Sequence, residues 1–300
     1  MNRSIITVIL CFAAVVILPV RCTNETPGTG PLIFYVMGDW GRKGSLDQVA
    51  VANQMERWTS VENPRFIVAT GDNFYPAGVV STTDPHWQES FERVYTGTNL
   101  KTKPWYVALG NHDYDGNPDA EIAYHAKNLK WNMPGRYYTR IERIGDGGSA
   151  RLIFVDTTPF ERGSNQDTIR QKLWLDSLCA RKDTDWVFVV GHHQIYSGGL
   201  RKFDRSPIRY SLEPIFNKNG VDIYFCGHEH DLQHLKVADK PTHYFLSGAG
   251  SDIRPTGMME HSLFAASVQG FMSVTVKKQT LEVKVIDHNG NMLYSTTLEH

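Results

Sequence analysis

Cysteine is scarce, with four residues in a chain of 300. Cys11 and Cys22 lie within or at the edge of the apolar N-terminus, which leaves Cys179 and Cys226. Neither has the spacing of a zinc site. Both fall in buried-looking elements and are expected as unpaired thiols. A surplus of either charge is also missing: 31 Lys and Arg oppose 32 Asp and Glu, a net charge of −1. That leaves no electrostatic footprint for nucleic acid and no basic run for a membrane surface. No apolar run past the N-terminus is long enough to span a bilayer, and the C-terminus lacks a hydrophobic tail for a lipid anchor. Internal repeats, low-complexity tracts and a mid-chain linker are absent as well. A hydrophobic content of 41% then indicates an ordinary globular chain.

What is present begins with an address. Arg3 precedes an apolar run from Ile5 to Val20, followed by Arg21-Cys22. The run is short against the roughly 20 residues a membrane span needs. Residues 1–22 are therefore expected to be a cleaved secretory signal peptide. Residues 23–30 form a flexible lead with a glycosylation acceptor, Asn24-Glu25-Thr26. The expected product is a monomer without a stable membrane anchor, secreted or delivered to a lysosome or vacuole.

Residues 31–300 alternate apolar runs with amphipathic stretches, then turn β-rich after Tyr244. This pattern predicts one α/β domain with mixed sheets. Strands are expected at Leu32–Met37, Phe66–Thr70, Trp105–Leu109, Trp186–Val190 and Val221–Cys226. Paired strands are expected around the turn Gly145–Ser149. Ser45-Leu46-Asp47-Gln48 reads as a capping box opening a helix to about Trp58. Asp119 is expected to cap a helix with Ile122, Ala126 and Leu129 on one face. Another helix is expected to close at Gly220.

Five of the strands end in glycine, and the chemistry follows it. Gly38 precedes Asp39, Gly71 precedes Asp72, Gly110 precedes Asn111, Gly191 precedes His192 and Gly227 precedes His228. Tyr75 and His230 stand within three residues of two of these positions. Open α/β sheets build their sites at such carboxyl ends. The set is two carboxylates, a phenol, an amide oxygen and three imidazoles. That is too many donors for one cation but suits two cations sharing a carboxylate, the arrangement roughly 3.5–4 Å wide that cleaves phosphate esters. A phenolate favours a hard ion such as ferric iron, whereas imidazole and amide suit divalent zinc, iron or manganese. Taken singly, each motif is an ordinary turn, cap or surface pair; the recurrence at five strand ends is what argues for a site.

The motifs Gly-Asp-Trp-Gly, Gly-Asp-Asn-Phe-Tyr, Gly-Asn-His-Asp, Val-Gly-His and Gly-His-Glu-His, with Ser247-Gly248-Ala249-Gly250, resemble those of the purple acid phosphatases. Within that group the chain is most similar to the small tartrate-resistant type. The resemblance spans about residues 31–300, and its specific signal is Tyr75. It implies a metallophosphoesterase sandwich of two mixed β-sheets flanked by helices. It assigns Asp39, Tyr75 and His230 to Fe(III), Asn111, His192 and His228 to a divalent ion (Fe, Zn or Mn), and Asp72 to both. It implies hydrolysis of phosphate monoesters by metal-bound hydroxide, with Asn111 and His112 at the substrate and His112 assisting the leaving group.

Three departures accompany the resemblance. A second histidine usual after Val-x-Gly-His is replaced by Arg201, which binds phosphate oxygens but does not readily donate a proton. His193-Gln194 replaces a tyrosine-proline pair, and His193 is read as a neighbour of the ligands. The segment Thr157–Gln166 is short where animal enzymes carry a protease-sensitive restraining loop, which implies no activation by cleavage there. Two other functions compete: a phosphodiesterase of the same fold, against which Tyr75 argues, and a secreted scaffold without turnover, which Arg201 alone supports.

Overall fold

The computed structural model of the protein describes residues 30–163, 166–201 and 206–300. The expected signal peptide, nearly all of the lead, Asn24 and Lys202 lie outside the described residues. In chain order the described elements are β1 (Leu32–Met37), α1 (Gln48–Glu62), β2 (Phe66–Ala69), β3 (Trp105–Val107), α2 (Pro118–Tyr124), β4 (Trp131–Asn132), β5 (Tyr138–Arg143), β6 (Ser149–Phe154), α3 (Thr158–Glu161) and α4 (Gln166–Cys179). They continue as β7 (Trp186–Val190), α5 (Pro207–Asn219), β8 (Ile223–Cys226), β9 (Leu232–Lys236), β10 (His243–Ser247), β11 (Ser262–Ala266), β12 (Gly270–Val276), β13 (Thr280–Asp287) and β14 (Met292–Glu299).

The strands form two mixed sheets of seven. The first runs β14-β13-β12-β1-β2-β3-β4 and the second β11-β9-β10-β8-β7-β6-β5. β1 to β4 are mutually parallel, and so are β6, β7, β8 and β10. Parallel strands covered on both faces read as continuous apolar runs. β2, β7 and β8 fit this rule, with every residue buried. Phe34, Phe66, Phe188, Phe225 and Phe245 interdigitate between the sheets. The outer face of the first sheet is covered by α1 and an aromatic group around Trp40, and that of the second by α4 and α5. The α/β sandwich expected from the sequence is the observed fold.

Local predictions fared unevenly. α5 ends at Gly220 in the left-handed region, as expected. The hairpin of β5 and β6 pairs around the anticipated turn. The Ser45 capping box does not form: Asp47 is the N-cap, with φ of 64° and no side-chain cap. Instead the Gln48 amide oxygen accepts from the Arg42 and Gly44 amides, so this residue ties down the loop before the helix. Asn117, not Asp119, caps α2, with Pro118 in its first turn. Leu129 is 94% exposed, because the helix stops at Tyr124. Cys179 and Cys226 are buried and unpaired.

Candidate metal centre

Parallel alignment brings the carboxyl ends of β1, β2 and β3 beside those of β7 and β8. Backbone hydrogen bonds stitch the loops after β1 and β2 together: Asp39 N donates to Gly71 O, Trp40 N to Asp72 O and Tyr75 N to Gly41 O. Aromatic anchors alternate with the polar residues. Trp40 packs on Phe74 and Trp105, with ring centroids 5.7 and 5.4 Å away. Gly71 has φ of +96°, and a Cβ there would lie 2.8 Å from the His192 ring. At Gly110 the need is space alone, since a Cβ would sit 2.2 Å from Asp72 Oδ1. Asp39, Asp72 and His228 themselves adopt left-handed backbone, with φ of 58°, 50° and 67°. Such strain concentrates where the surrounding structure must aim a functional side chain.

Two knots of donor atoms result. The Tyr75 hydroxyl lies 2.8 Å from Asp39 Oδ1, 2.8 Å from Asp72 Oδ2 and 3.1 Å from His230 Nε2. His192 Nε2 lies 3.3 Å from Asp72 Oδ2 and 3.1 Å from His228 Nδ1. Asp72 belongs to both. All but His228 are buried to 4% exposure or less. Asn111 Oδ1 is buried without a hydrogen-bond partner, although a buried polar atom ordinarily has one. The donor set, its shared carboxylate and this orphaned oxygen fit a pair of cations.

The residues around the knots orient them. The Thr70 carbonyl accepts from His192 Nδ1–H at 3.0 Å, so the neutral ring presents its lone pair at Nε2. The His228 amide donates to Asp39 Oδ2 and the His112 amide to Asp72 Oδ1. Burial opposes ionisation of Asp72, but His192 and then His112 outweigh it and hold the carboxyl below its ordinary range. Burial, then the Asp39 and Asp72 charges, push the Tyr75 phenol well up. A bound cation would reverse that balance.

The remaining expected residues are placed as follows. His112 Nδ1 lies 2.6 Å from the Pro76 carbonyl, and Nε2 faces the site 4.0 Å from Asp72 Oδ2. Arg201 sits at the second sheet's side. Its amide donates to Glu229, and its guanidinium lies 3.7 Å from that carboxylate and 3.5 Å from the His228 carbonyl. His193 was set aside as a neighbour, yet its ligand atom falls within 4.8 Å of those of His192 and His228. Its Nδ1 meets the Thr157 hydroxyl at 2.8 Å.

Sequence reasoning overlooked Asp113. It is fully buried and accepts from the Gly110 amide, the Asn73 amide and the Asn73 side chain. Asn73 also donates to Glu121. Burial, with the neighbouring acids, pushes both Asp113 and Glu121 well above the usual carboxyl range. Asp113 was visible as the last residue of Gly-Asn-His-Asp, but its partners were not.

This fold and site define a metallophosphoesterase. Residues 32–232 match the profile of the calcineurin-like phosphoesterases. The chain is 34% identical to purple acid phosphatase 4 of Arabidopsis thaliana, over 97% of this chain and 92% of the relative. It is 30% identical to tartrate-resistant acid phosphatase type 5 of Rattus norvegicus, over 95% of each. Among solved structures, GAP50, described as the anchor in the inner membrane complex of Plasmodium, superimposes with a TM-score of 0.81 at 27% identity, covering 90% of this chain and 89% of that one. The chain belongs to the purple acid phosphatases, hydrolases within the metallophosphoesterases. No helix among the described residues is long and apolar enough to cross a membrane.

Proposed function

We propose that this protein hydrolyses phosphate monoesters in acid at a centre of one ferric and one divalent ion. Asp39, Tyr75 and His230 would hold Fe(III); Asn111, His192 and His228 would hold Fe(II), Zn or Mn; Asp72 would serve both. The carrying observation is the convergence of Asp39, Asp72 and His230 within 3.1 Å of the Tyr75 hydroxyl. When bound, two such cations neutralise phosphoryl oxygens and make water acidic enough to yield a nucleophile.

The protein's own residues supply the rest. His112, with Nδ1–H held by the Pro76 carbonyl, turns Nε2 toward the substrate side, where the ring protonated on both nitrogens donates to the departing oxygen. Asn111 and Arg201 contact the phosphoryl group from opposite sheets. Residues 1–22 act as the secretory signal, residues 23–30 form a lead in which Asn24 carries glycan, and residues 31–300 form the metallophosphoesterase domain. A scaffold without turnover is the second reading, favoured by the likeness to a Plasmodium protein described as an anchor. Against it stands the full set of candidate ligands.

The deciding experiment is phosphate release from an aryl phosphate by metal-loaded protein, from acidic to neutral pH, with and without tartrate. Tartrate-resistant turnover with an acidic optimum, in purple protein, is the expected result. Tyr75→Phe should bleach the colour and leave some activity. Retained colour in that variant would remove the iron assignment, and absent turnover in protein holding two metals would leave the scaffold reading.

A further inference from the structure

Arg42 has no role in the site described so far, yet it touches its most distinctive residue. Its guanidinium carbon lies 3.8 Å from the centroid of the Tyr75 ring, well inside the roughly 6 Å reach of a cation–π contact. The backbone builds this stack. Tyr75 N donates to Gly41 O, so Arg42 leaves the seam directly beside the ring. Any Cβ at Gly41 would lie 1.9 Å from Asn73 O and force the seam apart. The Arg42 amide is pinned by Gln48.

The side chain has few other reasons to sit there. Its NH2 group is 3.5 Å from Asp252, which is 41% exposed, and an ion pair that open to water contributes little. Its Nε is buried without a partner. Asp252 also lies 3.7 Å from His230 Nδ1. One carboxylate therefore lies between Arg42 and His230, itself a candidate iron ligand. A flat guanidinium stacks on a ring as an ammonium does not. Lying on the face, it leaves the Tyr75 oxygen to its contacts with Asp39, Asp72 and His230.

We infer that Arg42 is a positioning residue that holds the Tyr75 ring and weakens it as an electron donor to iron. The inference rests on the ferric assignment above. A cation on the ring face lowers the energy of the ring's electrons. A phenolate bound to ferric iron would absorb visible light by transfer of charge from the ring to the ion, so the cation would raise the energy of that band.

The test compares absorption and resonance Raman spectra of the iron-loaded, substrate-free full chain as wild type, Arg42→Met and Arg42→Lys. Arg42→Met should move the visible band to longer wavelength, with tyrosine ring vibrations still enhanced. Arg42→Lys should shift it less. Coincident bands at equal iron content would overturn the proposal, including the case where only KM rises and Arg42 is a substrate clamp. Loss of iron from both variants would overturn it too, making Arg42 a scaffold residue. A colourless wild type would instead remove the ferric assignment, distinguishable because no variant would then show a band.

Discussion

The two sheets contribute unlike halves of the candidate centre. The first sheet's strand ends carry oxygen donors, namely Asp39, Asp72, Tyr75 and Asn111; the second sheet's carry the imidazoles of His192, His228 and His230. The oxygen half is braced from behind by the buried net of Asp113, Asn73 and Glu121. The imidazole half is braced by a carbonyl from the other sheet's loop, at Thr70. The halves also grip each other, since the His228 amide donates to Asp39. Each of the two knots of donor atoms draws on both sheets, so the site reports on docking of the sheets as much as on either fold unit.

The most damaging way to break this arrangement is at the shared carboxylate. Asp72→Asn should weaken retention of both metals and lower turnover by about 10³-fold, the scale of losing a principal electrostatic element. Loss of a single metal would show that Asp72 serves only one half. His112→Ala should cost on the order of 10² in kcat with metal content unchanged. Parallel loss of metal would recast it as part of the oxygen half.

The brace behind the oxygen half separates two similar substitutions. Asp113→Asn places an amide against the Gly110 and Asn73 donors, and should weaken metal retention about 10–100-fold. Asp113 and Glu121 also share a side-chain hydrogen bond; Glu121→Gln keeps a donor for it and should be far milder. Equal effects, read by dialysis against a chelator, would mean that the net contributes only bulk.

The smallest effect concerns a second contact between the halves. Tyr114, from the first sheet's side, donates to Asp156 beyond β6 at 2.5 Å. Burial pushes the Asp156 carboxyl up to about 6, although Tyr114 and Arg136 pull it down. The folded protein thus holds this proton more tightly than the unfolded chain. The stability linked to it is full below the ordinary value of 3.8 and is lost as pH rises through about 6. Asp156→Asn should flatten that fall, worth on the order of 5 °C in Tm. An unchanged profile would mean that the carboxyl ionises freely.

Legibility followed the range of the interactions. The central strands were readable because burial on both faces demands unbroken apolar runs, as in Phe66–Ala69 and Trp186–Val190. β9 was not, because its Gln233 and His234 are polar yet buried. Gln233 bonds Asp231, Ser197 and the Gly198 amide, and His234 meets His243 and Tyr294. Those partners make a polar strand interior tolerable. The cap of α2 was misjudged by two residues, although Asn117-Pro118 carried the signal.

Residue chemistry and strand ends were local properties, so the chain alone specified the candidate ligand types, their order and the glycines that give them room. Assembly was not local. Asp39 and His228 are 189 residues apart yet share a hydrogen bond, and Asn73 meets Glu121 across 48. Which candidate donors lie together, which carboxylate lies between the two groups, and which arginine covers Tyr75 follow from sheet register and docking. Those depend on packing two apolar faces together, a free energy summed over the whole core and written in no single motif.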